Sequence, residues 1–379
     1  MNRSKVSHIG ESIFPMMTRL CNEHNAINLS QGFPDFPIDS ELKELVAKYV
    51  NEDKNQYAPA DGVVHFREVL AKKYEDCYNV KVDPIAEITV HTGAAEGLFN
   101  SIAAIIDEGD EAIIFEPAYD SYAPVIEYFK GKVVPIKLEL PNFSINWNKV
   151  KDSITEKTRL IIINSPHNPT GTLLEDIDFK NLIEITKNKD IYIISDEVYE
   201  HIIFDGKKHI TILQYPELRE KSIAVFSLGK TLHTTGWRLG YTIAAKEITE
   251  DIRKYHQFNS YTCITPIQWA AADYLSNKEN YLYLSEFFEK KRDNFYNLLK
   301  QTKLEVFPSY GSYFMIASYK HLSDMDDLSF ATHLIKEYGV GTIPISFFYK
   351  DRTDNKIIRF CFAKKDEILY EAANRLMKL

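Results

Sequence analysis

The chain has 379 residues, of which 45% are hydrophobic and 26% are charged, so it is long enough for one large folded domain with a smaller partner. Its formal net charge of -9 argues against a nucleic-acid-binding or anionic-membrane surface, because neutralising phosphates requires clustered Lys and Arg. The four cysteines form no C-x-x-C pair, and no apolar run has the length of a membrane span or the form of a signal peptide. These features predict a cytoplasmic globular protein with reduced thiols.

The N-terminal part of the chain combines two helix patterns with two loops that are rich in turn-forming residues. The loops read N-L-S-Q-G-F-P-D-F-P at 28–37 and N-Q-Y-A-P-A-D-G at 55–62. Helices are predicted at 41–49 and 64–74. Residues 1–45 are interpreted as an arm that contributes to a small domain.

From residue 87 onward, short apolar segments alternate with helix patterns. Strands are predicted where β-branched residues cluster, at 88–92, 111–115, 132–137, 158–163, 191–195, 223–226 and 241–245. Helices are predicted between them, at 93–106, 124–129 and 176–187. At least four of the strands end in polar residues, which predicts a doubly wound, mostly parallel α/β sheet with a ligand at its carboxyl edge. No G-x-G-x-x-G fingerprint is present, which argues against a dinucleotide.

Helical patterns dominate after residue 245. Helices are predicted at 248–258 and 266–275, and a long charged amphipathic helix at 281–301 is expected to lead into a small α/β domain. That domain is predicted to hold strands and helices at 311–317, 330–338, 356–362 and 366–379. The predicted division is an arm at 1–45, a large domain at 46–275 and a C-terminal small domain at 276–379.

The segment from 222 to 241 places Lys230 between two apolar strands. A desolvated lysine is a nucleophilic amine that can form Schiff bases, and the flanking Ser227 and Arg238 are residue types that hold a phosphate. Together these three residues indicate an anchored pyridoxal 5′-phosphate (PLP). The S-x-x-K spacing also occurs in penicillin-binding enzymes, and many lysines beside strands are simply solvated, so the segment by itself leaves these alternatives open.

Other polar residues stand where a ligand in the crevice would meet them. The N–H groups at the start of the helix beginning at Gly93 can approach an anion, although small residues there also allow tight helix packing. Tyr119 follows one strand, and Asp196 follows another, either as a ligand contact or as a helix N-cap. Arg359 lies inside an apolar strand, which requires either a bound carboxylate or a buried salt bridge.

Taken together, the motifs resemble those of fold-type I PLP-dependent aminotransferases. N-P-x-G at 168–171, D-x-x-Y at 196–199 and S-x-x-K at 227–230 are followed by Arg238 and Arg359 in the family's order. The segments Q-G-F-P-D-F, N-Q-Y-A-P and I-R-F-C-F are similar to the branch that holds kynurenine aminotransferases and bacterial methionine aminotransferases. The resemblance runs from about residue 27 to the C-terminus.

The resemblance implies a role for each of these residues. Lys230 would bind PLP covalently and then act as the acid–base for the proton shift, and Asp196 would pair with the pyridine nitrogen. The remaining cofactor contacts implied are Asn168 and Tyr199 on the phenolic oxygen, Tyr119 on the ring, and Ser227, Arg238, the N–H groups of Ala94 and Ala95, and Tyr57 of the partner subunit on the phosphate. A homodimer with a shared active site follows from this last contact.

The resemblance also implies a substrate site. Arg359 would bind the α-carboxylate, with Asn168 and a backbone contact from Gly32. Candidates for the aromatic pocket are Phe14, Phe33, Tyr57 and, across the dimer, Tyr261. Phe14 stands where kynurenine-type relatives carry Trp, and Ala95 stands where they carry Tyr but methionine-type relatives carry a small residue. These two departures favour methionine as the amino donor, with aromatic amino acids also accepted.

The sequence therefore predicts a cytoplasmic homodimeric PLP aminotransferase that moves the amino group of methionine or aromatic amino acids to a 2-oxo acid by a ping-pong mechanism, without a metal. One alternative is a PLP-dependent C–S β-lyase, which shares the N-P-T-G motif. A second alternative is a PLP-binding regulatory protein. The net charge and the short segment before Gln31 argue against this second alternative, because such regulators carry an N-terminal DNA-binding module.

Overall fold

The computed structural model of the protein describes residues 10–379, so the first nine residues of the predicted arm lie outside the described part. The described strands, in chain order, are β1 (Ile27–Asn28), β2 (Ile88–His91), β3 (Glu111–Glu116), β4 (Lys132–Lys137), β5 (Thr158–Asn164), β6 (Tyr192–Asp196), β7 (Ser222–Ser227), β8 (Gly240–Ala244), β9 (Glu305–Val306), β10 (Phe314–Ser318), β11 (Val340–Gly341), β12 (Ile343–Pro344) and β13 (Ile357–Cys361).

The described α-helices, in chain order, are α1 (Ile13–Glu23), α2 (Ser40–Asn51), α3 (Val64–Tyr78), α4 (Ala94–Ile105), α5 (Tyr122–Tyr128), α6 (Trp147–Ser153), α7 (Asp176–Thr186), α8 (Pro216–Arg219), α9 (Leu228–Thr231), α10 (Lys246–Asn259), α11 (Thr265–Leu275), α12 (Glu279–Leu282), α13 (Leu284–Leu299), α14 (Asp327–His333) and α15 (Asp366–Leu376). None of the helices within residues 10–379 is long and apolar enough to cross a membrane.

A seven-stranded sheet forms the centre of the fold, in the order β2-β8-β7-β6-β5-β3-β4. The pairs from β4 through β7 are parallel, whereas β8 pairs antiparallel with both β7 and β2. Strands β3, β7 and β8 are buried along their whole length, as expected for a sheet covered by helices on both faces. The predicted mostly parallel α/β sheet is therefore confirmed, and its parallel strands bring the residues that follow β3, β5, β6 and β7 to one edge.

Two smaller sheets lie outside this central sheet. β12, β13, β10 and β9 form an antiparallel sheet in that order, and β1 pairs in parallel with β11. The pairing of Ile27 with Val340 joins the N-terminal segment to the C-terminal part of the chain. Helix α13 packs on α15 beside these sheets. The division at residues 45 and 275 remains a prediction.

The N-terminal segment contains a helix where the sequence indicated only an arm. Ser12 caps α1, and Ile13, Met17 and Cys21 form its buried face. Pro15 did not prevent the helix, because it lies in the first turn, where a backbone N–H has no helical partner.

The predicted helices of the C-terminal part also differ in detail from the observed ones. The long helix expected at 281–301 is divided at Tyr283 into α12 and α13. The helix expected at 330–338 begins earlier, as α14, and continues as one π-helical turn, Leu334–Tyr338.

Candidate active site

A cavity of about 220 Å³ lies at the carboxyl edge of the central sheet. It is lined by most of the candidate site residues that the sequence singled out: Phe14, Gly32, Ala94, Ala95, Tyr119, Asn168, Asp196, Tyr199, Ser227, Lys230, Arg238 and Arg359. Gln31, Leu98, Asn164, Val198 and Phe314 complete the lining. The structure thus brings together residues that are far apart in the chain. Their roles remain predictions.

Lys230 lies in the short helix α9 directly after β7. Its Nζ donates to the hydroxyl of Tyr313 at 2.8 Å and to the carbonyl of Gly32 at 3.2 Å, and no carboxylate within residues 10–379 forms an ion pair with it. Burial lowers the pKa of the amine to about 8. The amine therefore loses its proton much more readily than an exposed lysine, and a part of it is neutral near physiological pH, as a nucleophile or base requires.

Asp196 is the last residue of β6, and its carboxylate is buried at the cavity. Tyr122, on α5, donates its hydroxyl to Oδ2 at 2.5 Å, and the N–H of Val198 donates to Oδ1 at 3.3 Å. Burial raises the pKa of Asp196 to about 6. A cationic ring nitrogen that paired with the carboxylate would offset the cost of burying its negative charge. No sequence motif pointed to Tyr122, which begins α5 and follows Tyr119 by three residues, across the turn that precedes the helix.

The start of helix α4 forms an anion-binding cradle. Gly93 adopts φ +80°, and a Cβ on it would lie 2.5 Å from Nη2 of Arg238. Gly240 approaches as closely, because a Cβ there would lie 2.4 Å from the N of Ala94. Only glycine fits at both positions. Ala94 and Ala95 are the first two residues of α4, so their N–H groups have no carbonyl acceptor within the helix. Ser227 adds a hydroxyl without a hydrogen-bond partner among residues 10–379. Such a cradle suits a phosphate.

Arg359 is fully buried in strand β13 without an acidic partner within the described chain. Its Nη1 donates to Oδ1 of Asn168 at 2.7 Å, and its Nη2 donates to the carbonyl of Ser30 at 3.0 Å. Its Nε has no hydrogen-bond partner in the part of the chain that the structure describes. The ring centroid of Phe314 lies 3.9 Å from the guanidinium carbon. Burial lowers the pKa of Arg359 to about 10. Of the two alternatives for this arginine, the internal salt bridge is absent among residues 10–379, and a bound carboxylate remains.

Two tyrosines border the same cavity. Tyr199 is buried, and burial raises the pKa of its hydroxyl, so this group remains a hydrogen-bond donor at neutral pH. Burial also raises the pKa of Tyr119, to about 12. Tyr119 packs edge-to-face on Tyr122 at a centroid distance of 5.6 Å, which fixes one side of the cavity.

The four candidates for an aromatic pocket fall in different places. Phe14 lines the cavity, with its ring centroid 5.3 Å from the guanidinium carbon of Arg359. Phe33 lies outside it: its ring is 43% exposed, and the Nζ of Lys364 lies 4.2 Å above it. Tyr57 and Tyr261 are 82% and 50% exposed and pack edge-to-face on each other. A monomer leaves these two tyrosines in solvent, so their predicted role depends on a second subunit.

The residues around the cavity fit PLP in number and in kind. A buried amine that is partly neutral, a buried carboxylate with a raised pKa and a helix N-terminus kept open by two glycines match the cofactor's aldehyde, ring nitrogen and phosphate. Arg359 is left over for a second anion. The site thus offers separate groups for a cofactor and for an amino-acid carboxylate.

Comparisons with known proteins agree with this geometry. The model for the family described as aminotransferase class I and II matches residues 24–376. Methionine aminotransferase from Escherichia coli K12 is 44% identical over 100% of this chain and 98% of its own. Human kynurenine–oxoglutarate transaminase 3 is 32% identical over 100% of this chain and 90% of its own. The crystal structure of Escherichia coli YbdL, described as having a methionine aminotransferase function, superposes with a TM-score of 0.98 at 44% identity and covers 100% of both chains. The predicted fold-type I α/β architecture is confirmed, and the chain belongs to the class I and II aminotransferases.

Proposed function

We propose that this aminotransferase uses PLP to move the amino group of methionine, and of aromatic amino acids, to a 2-oxo acid by a ping-pong mechanism. The observation that carries the proposal is the buried guanidinium of Arg359, which has no internal carboxylate within residues 10–379 and lies in the same cavity as the partly neutral amine of Lys230. An α-amino acid supplies the missing carboxylate and places its amino group within the cavity.

The same residues that the sequence indicated would hold the cofactor. Lys230 would bind it covalently, with Asp196 on the pyridine nitrogen and Tyr119 beside the ring. Asn168 and Tyr199 would contact the phenolic oxygen, and the cradle formed by Ser227, Arg238 and the N–H groups of Ala94 and Ala95 would bind the phosphate. When bound, PLP supplies an electron sink that stabilises negative charge at the α-carbon of the amino acid.

The protein then contributes orientation and a movable proton. Arg359 binds the substrate carboxylate through two parallel N–H groups, which fixes the α-carbon relative to Lys230. The amine of Lys230, with its lowered pKa, would accept the proton from that carbon and deliver it to the cofactor carbon that carried the aldehyde, so that the amino group stays with the cofactor. Asp196 remains anionic once a cationic nitrogen faces it, and Tyr122 holds the carboxylate in place.

The substrate preference rests on the apolar part of the cavity and on the similarity to the Escherichia coli enzyme. Phe14, Phe314 and Leu98 face the cavity, and Ala95 leaves space where a large side chain would fill it. An apolar pocket of this kind accepts a thioether or an aromatic ring, because it discriminates weakly between side chains of similar size. Methionine is therefore the first donor to test, followed by phenylalanine and tyrosine.

A homodimer would complete the site. Tyr57 and Tyr261 are aromatic and exposed, and Phe258 and Ile264, on the same stretch as Tyr261, are 87% and 55% exposed. Apolar side chains exposed in this number favour a protein–protein contact. We propose that Tyr57 of the partner subunit reaches the phosphate and that Tyr261 of the partner subunit closes the substrate pocket.

Visible absorbance of the purified protein with added PLP tests the function directly. The proposal expects a bound-cofactor band that is lost on adding methionine, recovers on adding a 2-oxo acid, and is missing in Lys230→Ala. A band that no amino acid changes would contradict the transferase proposal but leave PLP binding intact. Release of pyruvate and ammonia from a cystathionine-like substrate, without transfer to a 2-oxo acid, would instead indicate a β-lyase.

A further inference from the structure

The side chain of Tyr313, immediately before β10, touches Lys230 although no sequence motif pointed to it. We propose that the hydroxyl of Tyr313 and the carbonyl of Gly32 form a binding site for the amine of Lys230, the amine dock, which holds this amine whenever it is not bound to the cofactor. This inference rests on the proposed function of Lys230. It assigns Tyr313 as a positioning residue for the reaction.

Three polar atoms form a closed triangle at this place. The Nζ of Lys230 lies 2.8 Å from the hydroxyl of Tyr313 and 3.2 Å from the carbonyl oxygen of Gly32. The hydroxyl of Tyr313 in turn donates to the same carbonyl oxygen at 2.6 Å. The three residues come from three separate regions of the chain, so only the folded protein creates the dock.

The number of hydrogen atoms available in the dock determines how Lys230 is bound there. The hydroxyl of Tyr313 has one hydrogen, and both the carbonyl of Gly32 and the hydroxyl of Tyr199 lie within its reach as acceptors. With that hydrogen given to either of them, the oxygen acts towards Lys230 as an acceptor. A neutral amine has two hydrogens and one lone pair, and the two acceptors take both hydrogens. No other hydrogen-bond partner contacts the Nζ within residues 10–379, so the lone pair stays free. The amine can therefore gain one proton, as ammonium, and lose it again without leaving the dock.

Tyr313 is held rigidly enough to serve as such a contact. The residue is completely buried, and its ring packs edge-to-face on Tyr199 at 5.1 Å and on Phe314 at 5.0 Å. Burial raises the pKa of the hydroxyl well above its usual range, so Tyr313 remains a neutral phenol. A fixed acceptor restricts the rotamers of the long lysine side chain, so less conformational entropy is lost when the amine reaches its reactive position.

A purely structural role is the competing explanation, since the hydroxyl also links the Gly32 loop to the C-terminal part of the chain. Tyr319 offers a matched control: it is also fully buried, and its hydroxyl donates to the carbonyl of Met325 at 2.9 Å, without contact to Lys230. Tyr313→Phe and Tyr319→Phe both remove one buried hydroxyl bonded to a carbonyl. Only Tyr313→Phe removes an acceptor from Lys230.

The first experiment measures the acetylation of Lys230 in the cofactor-free protein as a function of pH, by peptide mass spectrometry against an exposed lysine. In Tyr313→Phe, the midpoint of reactivity should fall by about one pH unit, because the ammonium form loses a hydrogen-bond acceptor. In Tyr319→Phe it should match the wild type. An equal midpoint in all three proteins would overturn the inference.

The second experiment uses wild-type protein and so does not depend on the folding of a variant. In a crystal structure with pyridoxamine 5′-phosphate, to which Lys230 cannot be covalently bound, the Nζ should again lie within hydrogen-bond distance of both dock oxygens. An Nζ elsewhere in the cavity would refute the dock. Failure to bind pyridoxamine 5′-phosphate would refute the proposed function instead, and the labelling experiment on the cofactor-free chain would still decide the dock.

Discussion

Nη1 of Arg359 donates to Oδ1 of Asn168 at 2.7 Å, although 191 positions separate the two residues in the chain. The amide therefore orients the guanidinium without neutralising its charge. Because the amide oxygen of Asn168 accepts from Arg359, its Nδ2 group can donate to another group in the cavity. This arrangement links the proposed cofactor contact to the proposed carboxylate contact.

Asn168→Asp should weaken substrate binding by placing a carboxylate against Arg359. The new ion pair would occupy the guanidinium that the amino-acid carboxylate needs, so KM for methionine should rise by about 10- to 100-fold, the cost of losing a charge-assisted hydrogen bond. Steady-state kinetics with methionine measures the effect. Asn146→Asp is the control, because Asn146 caps α6 on the surface and Asp caps as well. An unchanged KM in Asn168→Asp would show that Arg359 does not bind the carboxylate.

The sequence predicted the part of the site that follows from strand ends. In a parallel sheet the carboxyl ends of neighbouring strands meet, so Asp196, Ser227 and Asn168 could be grouped from their positions after predicted strands. Tyr122 and Tyr313 could not be found in this way. Both are aromatic residues beside buried segments, where a pattern of hydrophobicity predicts only core packing, and the hydrogen bonds of their hydroxyls depend on residues 74 and 83 positions away.

Helix α1 was not predicted, because the surface that it packs on comes from a distant part of the sequence. Its buried residues contact β11 and β12, which come more than 300 positions later, so nothing in the local sequence indicated the surface that the helix covers. The glycine-lined cradle was only partly foreseen: Gly93 was singled out, but the close approach of Gly240 to the N of Ala94 depends on the antiparallel pairing of β2 with β8.

Lys230→Met should stabilise the cofactor-free protein. Burial lowers the pKa of Lys230 from 10.5 to about 8, so the folded state favours the neutral amine, and the penalty on the charged amine is full below about pH 8 and disappears as the pH rises towards 10.5. The residue is partly exposed at the cavity wall, which reduces the expected gain to about 2 kcal/mol at about pH 7. Urea unfolding of both proteins at equal concentration measures it.

The same pair of proteins should differ less at about pH 10, where the wild-type amine is neutral in both the folded and, increasingly, the unfolded state. Lys254→Met is the control, since Lys254 is exposed and forms a surface ion pair with Asp251 on the same helix. A destabilised Lys230→Met, or a gain that does not depend on pH, would contradict the lowered pKa of the Lys230 amine.

Glu96→Gln should destabilise the protein and weaken cofactor binding. The buried carboxylate of Glu96 accepts from the N–H of Thr92 at 2.5 Å and from Nδ1 of His256 at 2.8 Å, and also from the hydroxyl of Ser260. It thereby ties the residue before Gly93 to helix α10. Replacing a buried carboxylate that accepts several hydrogen bonds, and so leaving its donors poorly paired, costs about 3 kcal/mol.

The stabilisation that Glu96 provides depends on pH. Burial alone would raise the pKa of Glu96, but the hydrogen bond from His256 and the neighbouring charges hold it below its usual range. Such a carboxylate stabilises the fold above the unfolded pKa of about 4.5, and this stabilisation is lost as the pH falls below it. The difference between wild type and Glu96→Gln in urea should therefore shrink below about pH 4. Glu250→Gln, at an exposed site on α10, should change stability by less than about 0.5 kcal/mol.

The proposed shared site predicts that two inactive variants restore activity when they are mixed. Lys230→Ala lacks the reactive amine, and Tyr57→Ala lacks the tyrosine that we assign to the neighbouring subunit's phosphate. In a hybrid dimer one site combines both defects. The other site takes Lys230 from the Tyr57→Ala chain and an intact Tyr57 from the Lys230→Ala chain, and so has a full set of residues.

Unfolding and refolding the two variants together should therefore recover about a quarter of the wild-type activity per site, because half of the dimers are hybrids with one complete site. Size-exclusion chromatography verifies the dimer, and each variant refolded alone is the control. If Tyr57 acted within its own chain, every site in the mixture would lack one of the two residues, and no activity above that of the separate variants would appear. The exposed position of Tyr57, at 82%, is the structural reason to expect recovery: within a single chain its ring reaches Tyr261 and not the cavity.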